Sequence, residues 1–236
     1  MRKFRFKQFE IQQDRSAMKV GTDGVLLGAW VNGAGEKNIL DIGSGTGLIA
    51  IMMAQRFQGA KIDAIEIEED AYEQSLVNFL NTPFNKNIQG FHASLQEWLR
   101  FTNRQYDLMI CNPPYFYKGY PLENEKRKLA RDAEHLQPEV LINAFINRST
   151  KNGILSLILP VEEGEKFILS AVKENIYCCR KTIVYSKPNR SPIRLLLEFS
   201  KLNAEIIITE LIIEYEGQHN YTEAYKALTK DFYLKF

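Results

Sequence analysis

Cysteine is scarce in this chain: its 236 residues include three cysteines, and two of these are the neighbours Cys178 and Cys179. Adjacent cysteines do not easily bridge to each other, and no group of cysteines and histidines has the spacing of a zinc site. We therefore predict a protein without a metal ion, in the reducing environment of the cytoplasm. The third cysteine, Cys111, is expected to be a buried thiol at the end of a strand.

Long apolar runs are also lacking. No stretch approaches the roughly 20 apolar residues of a membrane span, and the basic residues near the start alternate with phenylalanine instead of preceding an apolar leader. A composition of 45% hydrophobic and 25% charged residues is ordinary for a globular protein, and the length suits one substantial core. We expect a single domain over residues 1–236, with no membrane contact and no obligate protein partner.

The small net charge of +1 hides a segregation of charge along the chain. Lysine and arginine predominate in residues 1–19, 118–131 and 180–194, where aromatic residues lie between them. Solvated loops, or lysines that protect a strand edge, explain any one of these segments. Three together favour a surface that contacts the phosphates of a nucleic acid. The candidate contacts are Lys126, Arg127, Lys128, Arg131, Lys187 and Arg190.

Residues 41–47, Asp-Ile-Gly-Ser-Gly-Thr-Gly, lie between two apolar segments and are typical of a strand, a tight turn and the start of a helix. Glycines let the backbone approach a ligand closely, and the first N–H groups of the following helix attract an anion. The spacing of the glycines is neither that of a dinucleotide site nor that of a P-loop. The motif therefore predicts a cofactor site of another kind, with Asp41, Gly43, Gly45 and Gly47 as its candidate residues.

The next predicted strand, residues 61–66, ends in Glu66. An acidic residue about 20 positions after such a glycine motif is well placed to bind the hydroxyl groups of a ribose. We therefore predict that Glu66 is the ribose ligand, with an ordinary charged strand end as the alternative. Glu68, Glu69 and Asp70 instead suit the first turn of the next helix, where acidic residues complement the helix dipole.

The tetrapeptide Asn112-Pro113-Pro114-Tyr115 follows a predicted strand at residues 106–111 and points to chemistry on a planar nitrogen. The lone pair of an amide or exocyclic amine is delocalised, so a catalyst must make that nitrogen more tetrahedral. The Asn112 side-chain oxygen and the Pro113 carbonyl can each accept one of its protons. Two prolines fix the backbone, and Tyr115 offers a face for stacking. The alternative is a rigid turn that merely ends the strand.

Predicted strands and helices alternate along the chain, as a doubly wound sheet requires. An N-terminal extended segment turns near Asp14 and precedes a helix that begins at Thr22 or Asp23, both favourable helix caps. The predicted strands cover residues 38–41, 61–66, 87–92, 106–111, 153–159, 180–185, 193–199 and 205–213. The predicted helices cover residues 47–57, 70–81, 94–101, 138–150, 162–174 and 221–230.

The glycine motif and the tetrapeptide together resemble those of class I S-adenosylmethionine-dependent methyltransferases that act on amino and amide nitrogens. Within that group the chain is similar to the bacterial tRNA1(Val) adenine-N6 methyltransferases, which modify the adenosine immediately 3′ of the anticodon. The similarity covers nearly the whole chain. Its finer matches are residues 9–13, 18–30, 130–131, 192–195 and 231–234.

This resemblance implies a Rossmann-like α/β fold whose seven-stranded sheet is mostly parallel, with an antiparallel strand near the C-terminus. It implies S-adenosylmethionine as cofactor, and tRNA, methylated at N6 of an adenosine in the anticodon loop, as partner. It also implies that residues 19–23, with Thr22 and Asp23, form a wall of the cofactor site, and that an extension of about residues 1–20 lies over the cleft. Ser94 stands where an acidic residue often contacts the cofactor adenine.

Other activities remain open at this stage. The same tetrapeptide serves methyltransferases of a release-factor glutamine amide, but these usually carry a helical substrate domain, and forty residues precede Asp41 here. Enzymes of ribosomal guanine N2 normally have a duplicated domain, and DNA adenine enzymes need a target-recognition region. A non-catalytic RNA-binding protein would not require Asn112 through Tyr115.

Overall fold

A computed structural model describes residues 3–15, 19–33, 35, 37–113, 136–217 and 219–235. In these residues the strands are β1 Lys3–Arg5, β2 Glu10–Gln12, β3 Asn38–Ile42, β4 Lys61–Glu66, β5 Ile88–His92, β6 Tyr106–Cys111, β7 Ser149–Leu159, β8 Tyr177–Tyr185, β9 Pro192–Ser200 and β10 Ile207–Ile212. The helices are α1 Thr22–Trp30, α2 Leu48–Arg56, α3 Glu69–Leu80, α4 Leu95–Phe101, α5 Pro138–Arg148, α6 Val161–Lys173 and α7 Glu223–Thr229, with a short 3₁₀ turn at Asn85–Asn87.

Eight strands form the main sheet in the order β10-β8-β9-β7-β6-β3-β4-β5. Strand β9 is antiparallel to both of its neighbours, and the other pairs are parallel. The predicted mostly parallel α/β fold with an antiparallel strand near the C-terminus is therefore confirmed. The family resemblance implied seven strands, whereas the sheet has eight. Strand β10, predicted as a strand over residues 205–213, pairs in parallel with the open edge of β8.

Helices cover both faces of the sheet, so its central strands are buried on each side. Consecutive strand residues such as Ile39 and Leu40 point into two separate apolar clusters. Helices α1, α2, α3 and α7 cover one face, and α4, α5 and α6 cover the other. This two-sided burial explains why the central strands have almost uninterrupted apolar sequences.

The N-terminal extended segment is a hairpin of β1 and β2 that reverses direction between Phe6 and Phe9 and bends again at Asp14. The hairpin packs against the C-terminal residues: the rings of Phe6 and Tyr233 are stacked, and the Lys7 N–H donates to the Phe232 carbonyl at 2.8 Å. Both ends of the described chain therefore lie on the same face as α1 and α2.

Most predicted boundaries differ from the structure by one to four residues, and two of the elements illustrate this. Strand β7 begins four residues before the predicted position, at Ser149, because Ser149 pairs with Tyr106 ahead of a register shift in the β6–β7 ladder. Helix α7 is shorter than predicted at both ends, since the Thr222 side chain caps it by accepting from the Tyr225 N–H. Among the described residues no helix combines the length and the apolar character needed to span a membrane.

Candidate active site

Two cavities open side by side where the parallel strands end. The smaller has a volume of about 220 Å³ and the larger about 590 Å³. Both are lined by Gly43 and Gly45 after β3 and by Asn112 after β6. The strand order reverses between β3 and β6, and ligands of open α/β sheets bind at such a switch point. The two predicted motifs therefore meet at one place in the fold.

The glycine-rich turn between β3 and α2 leaves open space on its cavity side. Gly43 and Gly45 have φ of +67° and +54°, and a β-carbon added to either would contact nothing within 4 Å. Gly47 is different, because a β-carbon there would lie 2.4 Å from the Phe79 ring. Gly43 and Gly45 border the cavities, whereas Gly47 lines neither and allows α3 to pack against the turn.

Asp41 lies beneath this turn and is completely buried. One carboxylate oxygen accepts from the Ala50 N–H at 2.9 Å, within the first turn of α2. Burial raises the pKa of Asp41 to about 7, against the lowering effect of the Ala50 hydrogen bond, and the nearby charge of Glu66 adds to the rise. Asp41 lines neither cavity, so the structure places this predicted cofactor residue behind the turn, where it holds the start of α2.

Glu66, at the end of β4, lines the smaller cavity and binds three main-chain N–H groups. One oxygen accepts from Gly45 at 2.7 Å, and the other accepts from Ile67 and Glu68 at 2.9 Å each. The carboxylate therefore ties the end of β4 to the glycine-rich turn. Its role as ribose ligand stays a prediction.

Ser94 lines the smaller cavity at the start of α4. It forms a capping box with Glu97: the Ser94 side chain accepts from the Glu97 N–H, and the Glu97 carboxylate accepts from the Ser94 N–H and hydroxyl. Those two bonds lower the pKa of Glu97. The remaining wall is largely apolar, with side chains such as Ile65, Ala71 and Leu95.

Lys19, before α1, and Thr22 and Asp23, in the first turn of that helix, line the larger cavity. Helix α1 begins at Thr22, as predicted, but the prediction that Thr22 or Asp23 caps it was wrong. The capping position is occupied by Gly21, which is still extended and makes no side-chain cap bond. Asp23 instead pairs with Arg194 of β9 at 2.9 Å, so the pair joins two walls of the cavity.

Asn112 and Pro113 follow β6 directly, and both line the larger cavity. Asn112 is half-buried, whereas Pro113 and the preceding Cys111 are buried. Burial, with the nearby charges of Asp41 and Glu66, raises the pKa of Cys111 well above its ordinary value, in agreement with an inert thiol. The other two predicted catalytic residues, Pro114 and Tyr115, lie outside the described residues.

The basic segments separate into distinct roles. Arg180 and Lys181 are in ion pairs with Glu198 and Glu165. The predicted phosphate contacts Lys187 and Arg190 lie in the turn between β8 and β9, at the same edge of the sheet as the cavities. Four further candidates lie outside the described residues: Lys126, Arg127, Lys128 and Arg131.

Two cations of the larger cavity were not among the predicted contacts. Lys19 and Arg194 both line it, and they come from the first and the third basic segment. Arg194 lies in residues 192–195, which match the methyltransferase family, and this match was the sequence signal that could have identified it. Within the described ranges, no three histidine, cysteine, aspartate or glutamate side chains are grouped as a metal ion would require.

Known methyltransferases are similar to this chain. The Methyltransferase small domain family matches residues 16–155. A tRNA1(Val) (adenine(37)-N6)-methyltransferase from Flavobacterium psychrophilum is 46% identical, over 98% of this chain and 99% of its own length. One of the same description from Haemophilus influenzae is 42% identical, over 99% of each chain. The chain belongs to the tRNA1(Val) (adenine(37)-N6)-methyltransferase family.

Membership of this family makes the chain a methyltransferase, and its fold agrees. A crystal structure of a predicted O-methyltransferase from Agrobacterium tumefaciens superposes with a TM-score of 0.72 at 19% identity. It covers 89% of this chain, and the match spans 96% of that chain. At this identity the likeness concerns the fold alone.

Proposed function

We propose that the protein transfers a methyl group from S-adenosylmethionine to N6 of the adenosine that follows the anticodon of a tRNA. The observation that carries this proposal is the position of Asn112. It lines the smaller cavity, where Glu66 ends β4, and also the larger one, whose wall includes Lys19 and the Asp23–Arg194 pair. A donor in one cavity and an acceptor entering the other would meet at Asn112.

The residues present fit S-adenosylmethionine. The open space beside Gly43 and Gly45 admits a ligand against the main chain. Glu66 would hold the ribose hydroxyls, and the apolar wall of the smaller cavity would enclose the adenine. Ser94 borders the same wall. When bound, this cofactor supplies an electrophilic methyl carbon on a positively charged sulfur.

Asn112 and Pro113 would act on the acceptor nitrogen. The Asn112 side-chain oxygen and the Pro113 carbonyl accept the two amino protons, which turns the nitrogen lone pair out of the plane of the base. The Pro113 ring fixes its φ, and a proline at the next position restricts its ψ, so the direction of the Pro113 carbonyl is limited. A strong general base is not required, because the positive charge of the donor is quenched as the methyl leaves, and the proton can depart afterwards. Tyr115 would stack on the base.

A tRNA loop is a suitable substrate for such a site. Loops already expose bases, so turning one out of its stack costs less there than in a duplex. Lys19 and Arg194 in the larger cavity, with Lys187 and Arg190 in the adjacent turn, would contact the backbone of the loop. Lys126, Arg127, Lys128 and Arg131 are proposed to contact the RNA backbone as well.

Methyl transfer to separate substrates tests this function. Purified protein and labelled cofactor are offered to bulk tRNA, ribosomal RNA, DNA and release factor, and the labelled nucleoside or amino acid is identified by mass spectrometry. We expect N6-methyladenosine in tRNA. Asn112→Ala should slow transfer by at least about 10²-fold, because it removes a contact needed most in the transition state, with cofactor affinity within about twofold of wild type.

Asn143→Ala is the matched control, since Asn143 is an exposed asparagine of α5. It should methylate at the wild-type rate. Label found on guanine or on glutamine, with none on tRNA adenine, would contradict the substrate. A near wild-type rate for Asn112→Ala would contradict the role of the tetrapeptide.

A further inference from the structure

Helix α3 turns a polar stripe toward the interior. Gln74, Ser75 and Asn78 are only 4%, 1% and 1% exposed, at positions where the helical period from the buried Ala71 would place apolar side chains. Ser75 donates to the Tyr72 carbonyl of its own helix. Buried polar groups are costly unless they are hydrogen-bonded. The hydrogen bonds made by Asn78 therefore indicate the role of this polar face.

Asn78 uses its side-chain amide to join two distant segments. Its oxygen accepts from the Gln12 N–H at 2.9 Å, and its nitrogen donates to the Gln12 carbonyl at 2.9 Å. The amide thus pairs with Gln12 as a neighbouring strand would. The same nitrogen donates to the Thr46 carbonyl at 2.8 Å. Thr46 belongs to the glycine-rich turn and lines the larger cavity.

From Gln12 the connection continues to another wall of the same cavity. The side-chain oxygen of Gln13 accepts from the Val20 N–H at 2.7 Å, and its carbonyl accepts from the Lys19 ammonium. Val20 and Lys19 both line the larger cavity. We call residues 12–15 and 19–21 the strap. A series of hydrogen bonds therefore runs behind the cavity from the glycine-rich turn, through Asn78, to the strap.

The neighbouring residue on α3 supports the turn by packing. The ring of Phe79 lies so close to Gly47 that an added β-carbon would be 2.4 Å from it. Two consecutive residues of α3, Asn78 and Phe79, thus hold the turn from the side away from the cavities. A displacement of the turn by a ligand would be transmitted to this part of α3 and from there to the strap.

We propose that Asn78 is a positioning residue that sets the separation of the glycine-rich turn and the strap, so that binding of the methyl donor and binding of RNA favour each other. The proposal rests on the proposed function, which puts the donor against the turn and RNA against Lys19 of the strap. An amide is required because it combines an acceptor with two donors, whereas a carboxylate has no donor. Asn78→Asp would keep the shape and lose both donated bonds.

The readout is the dissociation constant of the product S-adenosylhomocysteine without tRNA, divided by the same constant at saturating tRNA, both measured by calorimetry. For wild type we expect a ratio of about 5 or more, within the usual range of coupling between sites. For Asn78→Asp we expect a ratio near 1. Asn81→Asp is the matched control, because Asn81 is exposed and, within the described residues, its side chain donates to the Val77 carbonyl of α3 and to no strap or turn residue. It should keep the wild-type ratio.

A folded Asn78→Asp protein with the wild-type ratio would overturn the proposal, since a merely structural role changes the melting temperature and leaves the ratio unchanged. If Asn78→Asp does not fold, Gln13→Leu takes its place, because it removes the acceptor of the Val20 N–H. A wild-type ratio in that variant also overturns the proposal. Wild type that neither binds the product nor methylates tRNA contradicts the proposed function, whereas wild type that does both with a ratio of 1 contradicts this inference alone.

Discussion

Buried carboxylates occur in two different settings in this protein. Among the described residues four are less than 9% exposed: Asp41, Asp63, Glu66 and Glu198. Asp63 and Glu198 each have an arginine partner. Within the same residues, no lysine or arginine side chain pairs with Asp41 or Glu66, and only main-chain N–H groups bind them.

The two arginine-paired carboxylates lie away from the cavities. Glu198 receives two bonds from Arg180, whose guanidinium also donates to the Trp30 carbonyl and lies 3.6 Å from the centre of the Trp30 ring. Asp63 receives two bonds from Arg104 and one from the Tyr106 hydroxyl. These groups neutralise charge and join elements, which is a structural task.

The other two carboxylates flank the glycine-rich turn. Main-chain N–H groups fix the position of both carboxylates, but Asp41 lies behind the turn and lines neither cavity, whereas Glu66 presents its carboxylate to the smaller cavity. A site for a cationic donor with ribose hydroxyls needs this arrangement. Of the four buried carboxylates, only Glu66 both lines one of the two cavities and has no arginine partner among the described residues, so its carboxylate is the one placed to meet a ligand.

The largest expected effect is a loss of stability when the Arg180–Glu198 pair is broken. Arg180→Ala leaves the Glu198 carboxylate buried without its partner and should lower the free energy of unfolding by about 3–5 kcal/mol, measured by urea denaturation. Lys181→Ala, next to it on β8, removes a pair with the half-exposed Glu165 and should cost no more than about 1 kcal/mol. Binding of S-adenosylhomocysteine should be unchanged in both folded proteins. Equal losses of stability would contradict the structural role of the Arg180 pair.

Glu66→Ala should weaken cofactor binding and leave the stability of the fold nearly unchanged, the opposite of Arg180→Ala. Each hydrogen bond lost to a ribose hydroxyl should weaken cofactor binding by about 1.5–3 kcal/mol, as measured by calorimetry. Stability should change by no more than about 1 kcal/mol, because water in the cavity can reach the N–H groups that Glu66 now binds. Glu69→Ala, in the first turn of α3, is the control with unchanged affinity. Wild-type affinity in Glu66→Ala would remove Glu66 from the ribose site.

The smallest effect is a change in pH dependence at Asp41. Its pKa is raised from 3.8 to about 7 in the folded protein, so the folded state binds the extra proton between these values. The stability contributed by that proton is fully present below pH 3.8 and is lost as pH rises through about 7. Asp41→Asn should remove a slope of about 1.4 kcal/mol per pH unit from the unfolding free energy between pH 5 and 6. Identical slopes in the two proteins would contradict the raised pKa.

The parts of the site that were predicted from the sequence are those whose residues act through local chemistry. A glycine-rich turn after an apolar strand and Asn112 after another were recognisable, because local chemistry specifies them. The sheet was predicted nearly in full for the same reason. Strand β10 was itself predicted, but its parallel pairing with the edge of β8 was not, since pairing with a distant strand leaves no local signal in the sequence.

Residues whose task depends on a distant partner were missed. Asn78 and Gln13 look like ordinary surface polar residues, and their partners are 66 and 7 positions away. The one local signal was that Gln74, Ser75 and Asn78 follow Ala71 at helical spacing, on the face expected to be apolar. Arg180 was grouped with phosphate contacts because its sequence neighbours are basic, and the burial that pairs it with Glu198 cannot be seen in the sequence.

The position of β9 limits the order in which the chain can assemble. Strand β8 precedes β9 in the chain, yet β9 lies between β8 and β7. A growing chain that ends before Pro192 therefore has no place in the sheet for β8. The two strands join as a hairpin, whose formation is local and fast compared with long-range pairing. Ile193 and Arg194 reach the larger cavity only with that hairpin, so the parallel half of the sheet can form before the substrate pocket is complete.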